Sequence, residues 1–127
     1  MIAEDYVSFE VAKLLKEKGF NEPCECAYSS GGQYLLSCYK GIVDRRIKND
    51  EASDFSYSST APTHQMAMKW LREVHNIAID TEWEHLWYVY VKPMTANPFE
   101  DDYCQCFSAK YEEAVEAALK YSLENLI

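Results

Sequence analysis

The sequence predicts an α+β protein with the element order α-ββ-α-βββ-α, an antiparallel sheet and helices packed on one face. Three observations carry that prediction. Apolar residues recur at helical spacing in three separate stretches, around Val11–Leu15, Met66–Val74 and Tyr111–Leu123. Between them, apolar and polar residues alternate with the period of two that marks a half-buried strand, most clearly in Ile77–Glu84. Turn chemistry at Ser30-Gly31-Gly32 and at Glu84-His85 separates neighbouring strands.

The first helix is read over residues 8–19. Ser8 is a good N-cap and Glu10 lies in the first turn, where the helix dipole favours an acid. Val11, Leu14 and Leu15 form its apolar stripe, with Lys13, Lys16 and Glu17 outside it. Gly19 followed by Phe20 has the form of a Schellman stop, in which glycine turns left-handed and the next apolar residue folds back on the helix. Residues 23–40 then read as a hairpin: Cys24, Cys26 and Tyr28 alternate with Glu25, Ala27 and Ser29, and Gln33–Tyr39 is rich in strand formers. Residues 41–61 show no clear period and read as a long loop, with room for a short strand at Gly41-Ile42-Val43.

Ala61-Pro62-Thr63 opens the second helix, with Thr63 as cap and Met66, Ala67, Trp70, Leu71 and Val74 as its inner stripe. Asn76 takes the left-handed position at its end. In the strand that follows, Ile77, Ile79, Thr81 and Trp83 face one way and Ala78, Asp80, Glu82 and Glu84 the other. Leu86–Val91 is apolar on both faces and therefore central, and Pro93 ends it because proline cannot donate to the ladder. Tyr103–Phe107 is a third strand. Ser108 caps a final helix, Tyr111 to Leu126, with Tyr111, Ala114, Val115, Ala118, Leu119, Ser122 and Leu123 inside. The whole reads as one domain, 1–127: an N-terminal helix and hairpin extension (1–40), a loop (41–61) and an α-βββ-α unit (62–127).

Composition narrows the function classes. Hydrophobic residues are 48% and charged residues 26%, the balance of a chain that buries one core. The net charge of −9 opposes general affinity for phosphate backbones and anionic membranes, both of which are gripped by cations. It fits a partner with a basic surface. Met1–Asp5 carries acids where a secretion signal carries basic residues, and no apolar run follows. With an odd count of five cysteines, that reads as free thiols in a cytoplasmic protein.

Four groups of residues invite a chemical reading. The Cys-x-Cys pairs, Cys24/Cys26 and Cys104/Cys106, each put two thiols on one strand face, and four converging thiolates would suit zinc. Strand cysteines more often pack as small hydrophobes. His64, His75 and His85 assemble no local catalytic set, and a histidine at a helix C-terminus, as His75 is, is favourable by itself. Glu100-Asp101-Asp102 lacks the glycine-punctuated spacing of a calcium loop. Tyr88 and Tyr90 share one strand face with Trp87 on the other; aromatic strands stack bases or build cores and contact surfaces.

Ala61-Pro62-Thr63 with Trp70-Leu71-Arg72-Glu73, Ser8-Phe9-Glu10 and Tyr111-Glu112-Glu113-Ala114 together resemble a family of small acidic proteins frequent in genomes of gut anaerobes and their mobile elements. That resemblance covers most of the chain and implies no activity. Residues 62–126 also resemble the double-stranded-RNA-binding domain in topology, with Glu112-Glu113-Ala114 and Ala117-Ala118 similar to its alanine-rich last helix. That family grips phosphates with lysines at the start of this helix. Here Lys110 is followed by Glu112, Glu113 and Glu116, which implies that the RNA grip is gone.

The expectation is therefore a non-enzymatic protein-interaction or regulatory accessory factor whose acidic surface meets a basic partner, with no cofactor and no catalytic or metal residue assigned. The alternatives are a nucleic-acid-binding module using Arg45, Arg46, Lys48 and the aromatic strands, and a small metal-binding protein acting through Cys24, Cys26, Cys104 and Cys106.

Overall fold

The computed structural model describes residues 2–32, 34–37 and 46–127. Its elements are α1 (Phe9–Glu17), β1 (Cys26–Ser29), β2 (Leu35–Ser37), a 3-10 helix (Asn49–Phe55), β3 (Tyr57–Ala61), α2 (His64–His75), β4 (Ile77–Glu84), β5 (Leu86–Pro93), β6 (Cys104–Ser108) and α3 (Tyr111–Asn125). The class is α+β with antiparallel pairing throughout, but the strands divide between two three-stranded sheets, ordered β2-β1-β3 and β4-β5-β6. The chain separates correspondingly into two compact units, Met1–Thr63 and His64–Ile127.

In the first unit the ends of α1 follow local chemistry. The Ser8 side chain accepts from the Val11 N–H, satisfying one orphan donor of the first turn. At the other end Gly19 has φ +95°, its N–H donates to the Lys16 carbonyl, and the Phe20 N–H donates to the Leu15 carbonyl. This is the full Schellman pair, and it delivers Phe20 into the core beside Val11, Ala12 and Leu15. In the β1–β2 hairpin Gly32 has φ +73°, a conformation that favours glycine, and a Cβ there would run into the Phe9 ring.

Segment 41–61 is the main difference from the sequence reading. Gly41-Ile42-Val43 lies outside the described residues. Asn49–Phe55 is a 3-10 helix and Tyr57–Ala61 is a strand paired with β1, rather than loop. The cause is a tertiary contact that no local pattern announces. Buried Asn49 donates from Nδ2 to the Phe20 carbonyl at 2.7 Å, while its Oδ1 accepts from the Thr60 N–H at 2.8 Å. One amide thus joins the end of α1, the 3-10 helix and β3. Ile47 packs with Ala27 against Phe55 and Tyr57 beneath it. Ala61 therefore closes a strand, and α2 begins three residues after it, at His64.

In the second unit α2 and α3 pack on β4, β5 and β6. The buried residues of α2 are His64, Ala67, Met68, Trp70 and Leu71, while Met66 and Val74 are exposed. The stripe is rotated from the expected one because His64 and Met68 turn inward in place of Met66 and Val74. Asn76 has φ +56° and reverses the chain into β4 as expected. The expected inner stripe of α3 is buried from Ala114 to Leu123. Its N-cap is Lys110, not Ser108; the Ser108 Oγ accepts from the Lys110 N–H and donates to Glu113, bracing the turn before the helix.

Two outcomes test this account. Gly19→Val forces a branched side chain into the left-handed region and is expected to destabilise the protein by about 1–2 kcal/mol, read as a lower urea midpoint. Asn49→Ala removes two buried hydrogen bonds, to the Phe20 carbonyl and from the Thr60 amide, and is expected to cost about 1–3 kcal/mol by the same measurement.

Candidate functional site

The register of β5 sorts the second sheet into two faces. Directly opposed residues on antiparallel strands share a face. Ile79, Val91 and Cys104 therefore lie together, as do Thr81, Val89 and Cys106, and Trp83, Trp87 and Ser108. This face is the one under the helices: Val89 and Val91 are fully buried, and the Trp87 ring meets Tyr111 of α3 edge-on, with centroids 5.0 Å apart.

The other face is open. It carries Ala78, Asp80, Glu82 and Glu84 from β4, Leu86, Tyr88, Tyr90 and Lys92 from β5, and Gln105 and Phe107 from β6. Tyr88 stands directly across from Phe107, their ring centroids 6.1 Å apart, and Phe107 is 65% exposed. Tyr90 lies between Asp80 and Gln105. Lys92 places its ammonium 3.0 Å from the Asp80 carboxylate and 5.3 Å from the Tyr90 ring centre. The face is thus a row of rings bordered on one side by a row of carboxylates.

Its electrostatics follow from that border. The Tyr90 hydroxyl is held above its ordinary pKa, first by partial desolvation and then by the charges of Glu82 and Glu84 with Tyr88 beside it, while Lys92 opposes the shift. The Lys92 ammonium is also held upward, first by its hydrogen bond to Asp80 and further by Asp80 and Asp102. Both shifts have the sign of a negative local field, which stabilises bound protons.

The other residues singled out from the sequence are placed as follows. His64 is buried, its Nε2 2.8 Å from the Glu116 carboxylate, and so ties α2 to α3. His75 stacks edge-on against Trp70 at 4.7 Å, and His85 occupies the β4–β5 turn with φ +66°. Glu100, Asp101 and Asp102 are exposed loop residues. Arg46 faces Glu25 at 3.5 Å, the Lys48 N–H donates to Glu51, and Arg45 lies outside the described residues. Lys110 is 3.9 Å from Glu113. The side chains of Arg46 and Lys110 are thus each set beside a carboxylate.

The four described cysteines are free thiols. Cys24 and Cys26 lie in or beside the first sheet and Cys104 and Cys106 in the second. Among the described residues no group of three or more His, Cys, Asp or Glu side chains converges in a way that could hold a metal ion. The two pairs also differ. Cys24 Sγ donates to the Glu22 carbonyl at 3.4 Å. Cys26 hydrogen-bonds the Tyr6 hydroxyl, whose pKa is pushed up to about 12 chiefly by that contact. Cys104 and Cys106 meet each other, sulfur to sulfur, at 3.8 Å.

The sequence identified Tyr88 and Tyr90 on one strand face and Glu82 and Glu84 together on another strand. It missed that Phe107 and Gln105 complete the same surface. The alternation within 103–107 was available, but the pairing register was not. Among the described residues no helix is long and apolar enough to cross a membrane. Comparison with protein-family models, curated proteins and solved structures finds no match.

Burial pushes the Cys106 thiol up to about 11, with its hydrogen bond to Cys104 adding to the shift. The neutral thiol is the favoured form, so the reactive thiolate is scarce until alkaline pH. Alkylation of Cys106 by iodoacetamide, followed by peptide mass spectrometry, is expected to be slow at pH 8.5, where an ordinary thiol is about half ionised. Its rate is expected still to rise about tenfold per pH unit up to pH 10. A rate that levels off near pH 9 is the contrary result.

Proposed function

We propose that this protein is a non-enzymatic interaction module that captures a basic polypeptide segment on the open face of the β4-β5-β6 sheet. The observation that carries this reading is the juxtaposition of Tyr88, Tyr90 and Phe107 with the carboxylates of Asp80, Glu82 and Glu84. Aromatic rings offer a guanidinium or ammonium the negative face of their π systems, about 0.5–1 kcal/mol per contact at an exposed site. The neighbouring carboxylates supply charge complementarity, which raises association rates and excludes acidic partners. Lys92 already shows the mode within the chain, lying between the Asp80 carboxylate and the Tyr90 ring.

The same carboxylates oppose a nucleic acid. Bases could stack on the rings, but the phosphates between them would pass beside Glu82 and Glu84 without a compensating cation row. The chain's net charge of −9 acts in the same direction at longer range.

Fluorescence anisotropy with a labelled Arg- and Lys-rich peptide tests the proposal, with a single-stranded RNA of equal length as comparison. The peptide is expected to bind more weakly as salt rises, because exposed charge pairs are screened. Tyr90→Ala with Phe107→Ala is expected to weaken binding by about tenfold. Glu82→Lys with Glu84→Lys is expected to weaken it further and flatten the salt dependence. Equal affinity for the RNA, or peptide binding indifferent to both double variants, overturns the reading.

A further inference from the structure

The Cys104/Cys106 pair belongs to the helix-covered face of the second sheet and plays no part in the surface just described. Both thiols are half-buried on an edge strand, across from the fully buried Val91 and Val89. Their sulfurs are 3.8 Å apart. Residues two apart on a strand have Cα atoms about 6.6 Å apart, at the upper end of the span that disulfides take, and sulfurs 3.8 Å apart stand well beyond the roughly 2.05 Å of a direct bond. Two thiolates that share one ion are spaced differently. With bonds to sulfur of about 2.3 Å and angles of about 100–120° at a three-coordinate centre, the sulfurs stand about 3.5–4 Å apart. The strand therefore presets the separation that suits an atom between the sulfurs.

No third His, Cys, Asp or Glu side chain joins the pair among the described residues. Borderline ions such as zinc, which want four ligands, are poorly served by two. Soft centres prefer thiolate and tolerate few ligands. Val89 and Val91, directly across on β5, and α3, packed over the strand, give the pair apolar neighbours. The first Cys-x-Cys pair lacks this arrangement, because Cys24 Sγ bonds to the Glu22 carbonyl and Cys26 to the Tyr6 hydroxyl.

We propose that Cys104 and Cys106 form a two-sulfur site for a soft, thiophilic centre, either an arsenic(III) species or a soft cation of low coordination number such as Cu(I). Binding replaces two S–H bonds with two bonds from sulfur to the centre and releases both protons. With phenylarsine oxide the balance is closed: two As–S bonds form, the As–O bonds break, and the two protons leave with the oxygen as water.

Phenylarsine oxide added to the full chain is the direct probe, read by intact mass and by mapping of the adduct. One phenylarsenic group is expected on the peptide that contains both Cys104 and Cys106, removable by a dithiol but not by a monothiol. Cys104→Ser and Cys106→Ser are each expected to abolish it, and Cys24→Ser with Cys26→Ser to leave it. The mapping stands on the unaltered protein and does not depend on any variant folding. Prior loading with Cu(I) is expected to block the adduct, and an equal concentration of Zn2+ is not. An adduct elsewhere, no adduct, or displacement by Zn2+ as effective as by Cu(I) overturns the assignment.

Discussion

The pairing register of β5 with its two neighbours is the constraint on which the second unit depends. Side chains alternate across a strand, so a slip of one residue exchanges the two faces completely. In the observed register Val89 and Val91 go beneath the helices, and Tyr88 and Tyr90 go to the open side. The same choice places Phe107 beside Tyr88 and turns both thiols of β6 toward the helices. Burial of two valines is worth several kcal/mol by area, about 1.5–3 kcal/mol each. Two tyrosines in their place would bring hydroxyls that need partners in the interior. The core thus selects the register, and the aromatic row and the thiol pair follow from it.

A different constraint shapes the first unit. Beside its strand ladders, its sheet is tied to the end of α1 through the Asn49 side chain, which pairs the Phe20 carbonyl and the Thr60 amide. A buried amide is tolerated because donor and acceptor are both used, whereas either one left unpaired would be costly. The arrangement also shows how a polar, aperiodic segment becomes ordered. Residues 49–61 are polar and serine-rich, yet one amide, the apolar contact of Ile47 and Ala27 with Phe55 and Tyr57, and the ladder to β1 together hold a 3-10 helix and a strand.

Charge gives the open face its character. The acids of β4 alternate with Ile77, Ile79 and Thr81, so burying one set necessarily lines up the other. A row of carboxylates next to rings is thus a product of ordinary strand patterning. Its distinctive feature is the shortage of compensating charge. Lys92 is the cation of this face among the described residues, and it is held by Asp80. The proposed capture of a basic segment rests on that shortage.

The sequence by itself determined the three helices, the cap and stop of α1, the stop of α2, the central position of β5 and the sharing of one face by Tyr88 and Tyr90. These rest on contacts within a few residues: Ser8 with Val11, Gly19 and Phe20 with the last turn of α1, the left-handed turn at Asn76, and the two periods of burial. Tertiary structure alone decided what depends on residues far apart in the chain. It ordered 49–61 through Asn49, rotated the buried stripe of α2 toward His64 so that its ring meets Glu116, and brought Phe107 to Tyr88. It also separated the two Cys-x-Cys pairs into different environments, one bonded to Glu22 and Tyr6 and the other closed on itself. A local pattern states which side chains share a face. Which neighbour that face meets is set by the closure of the core.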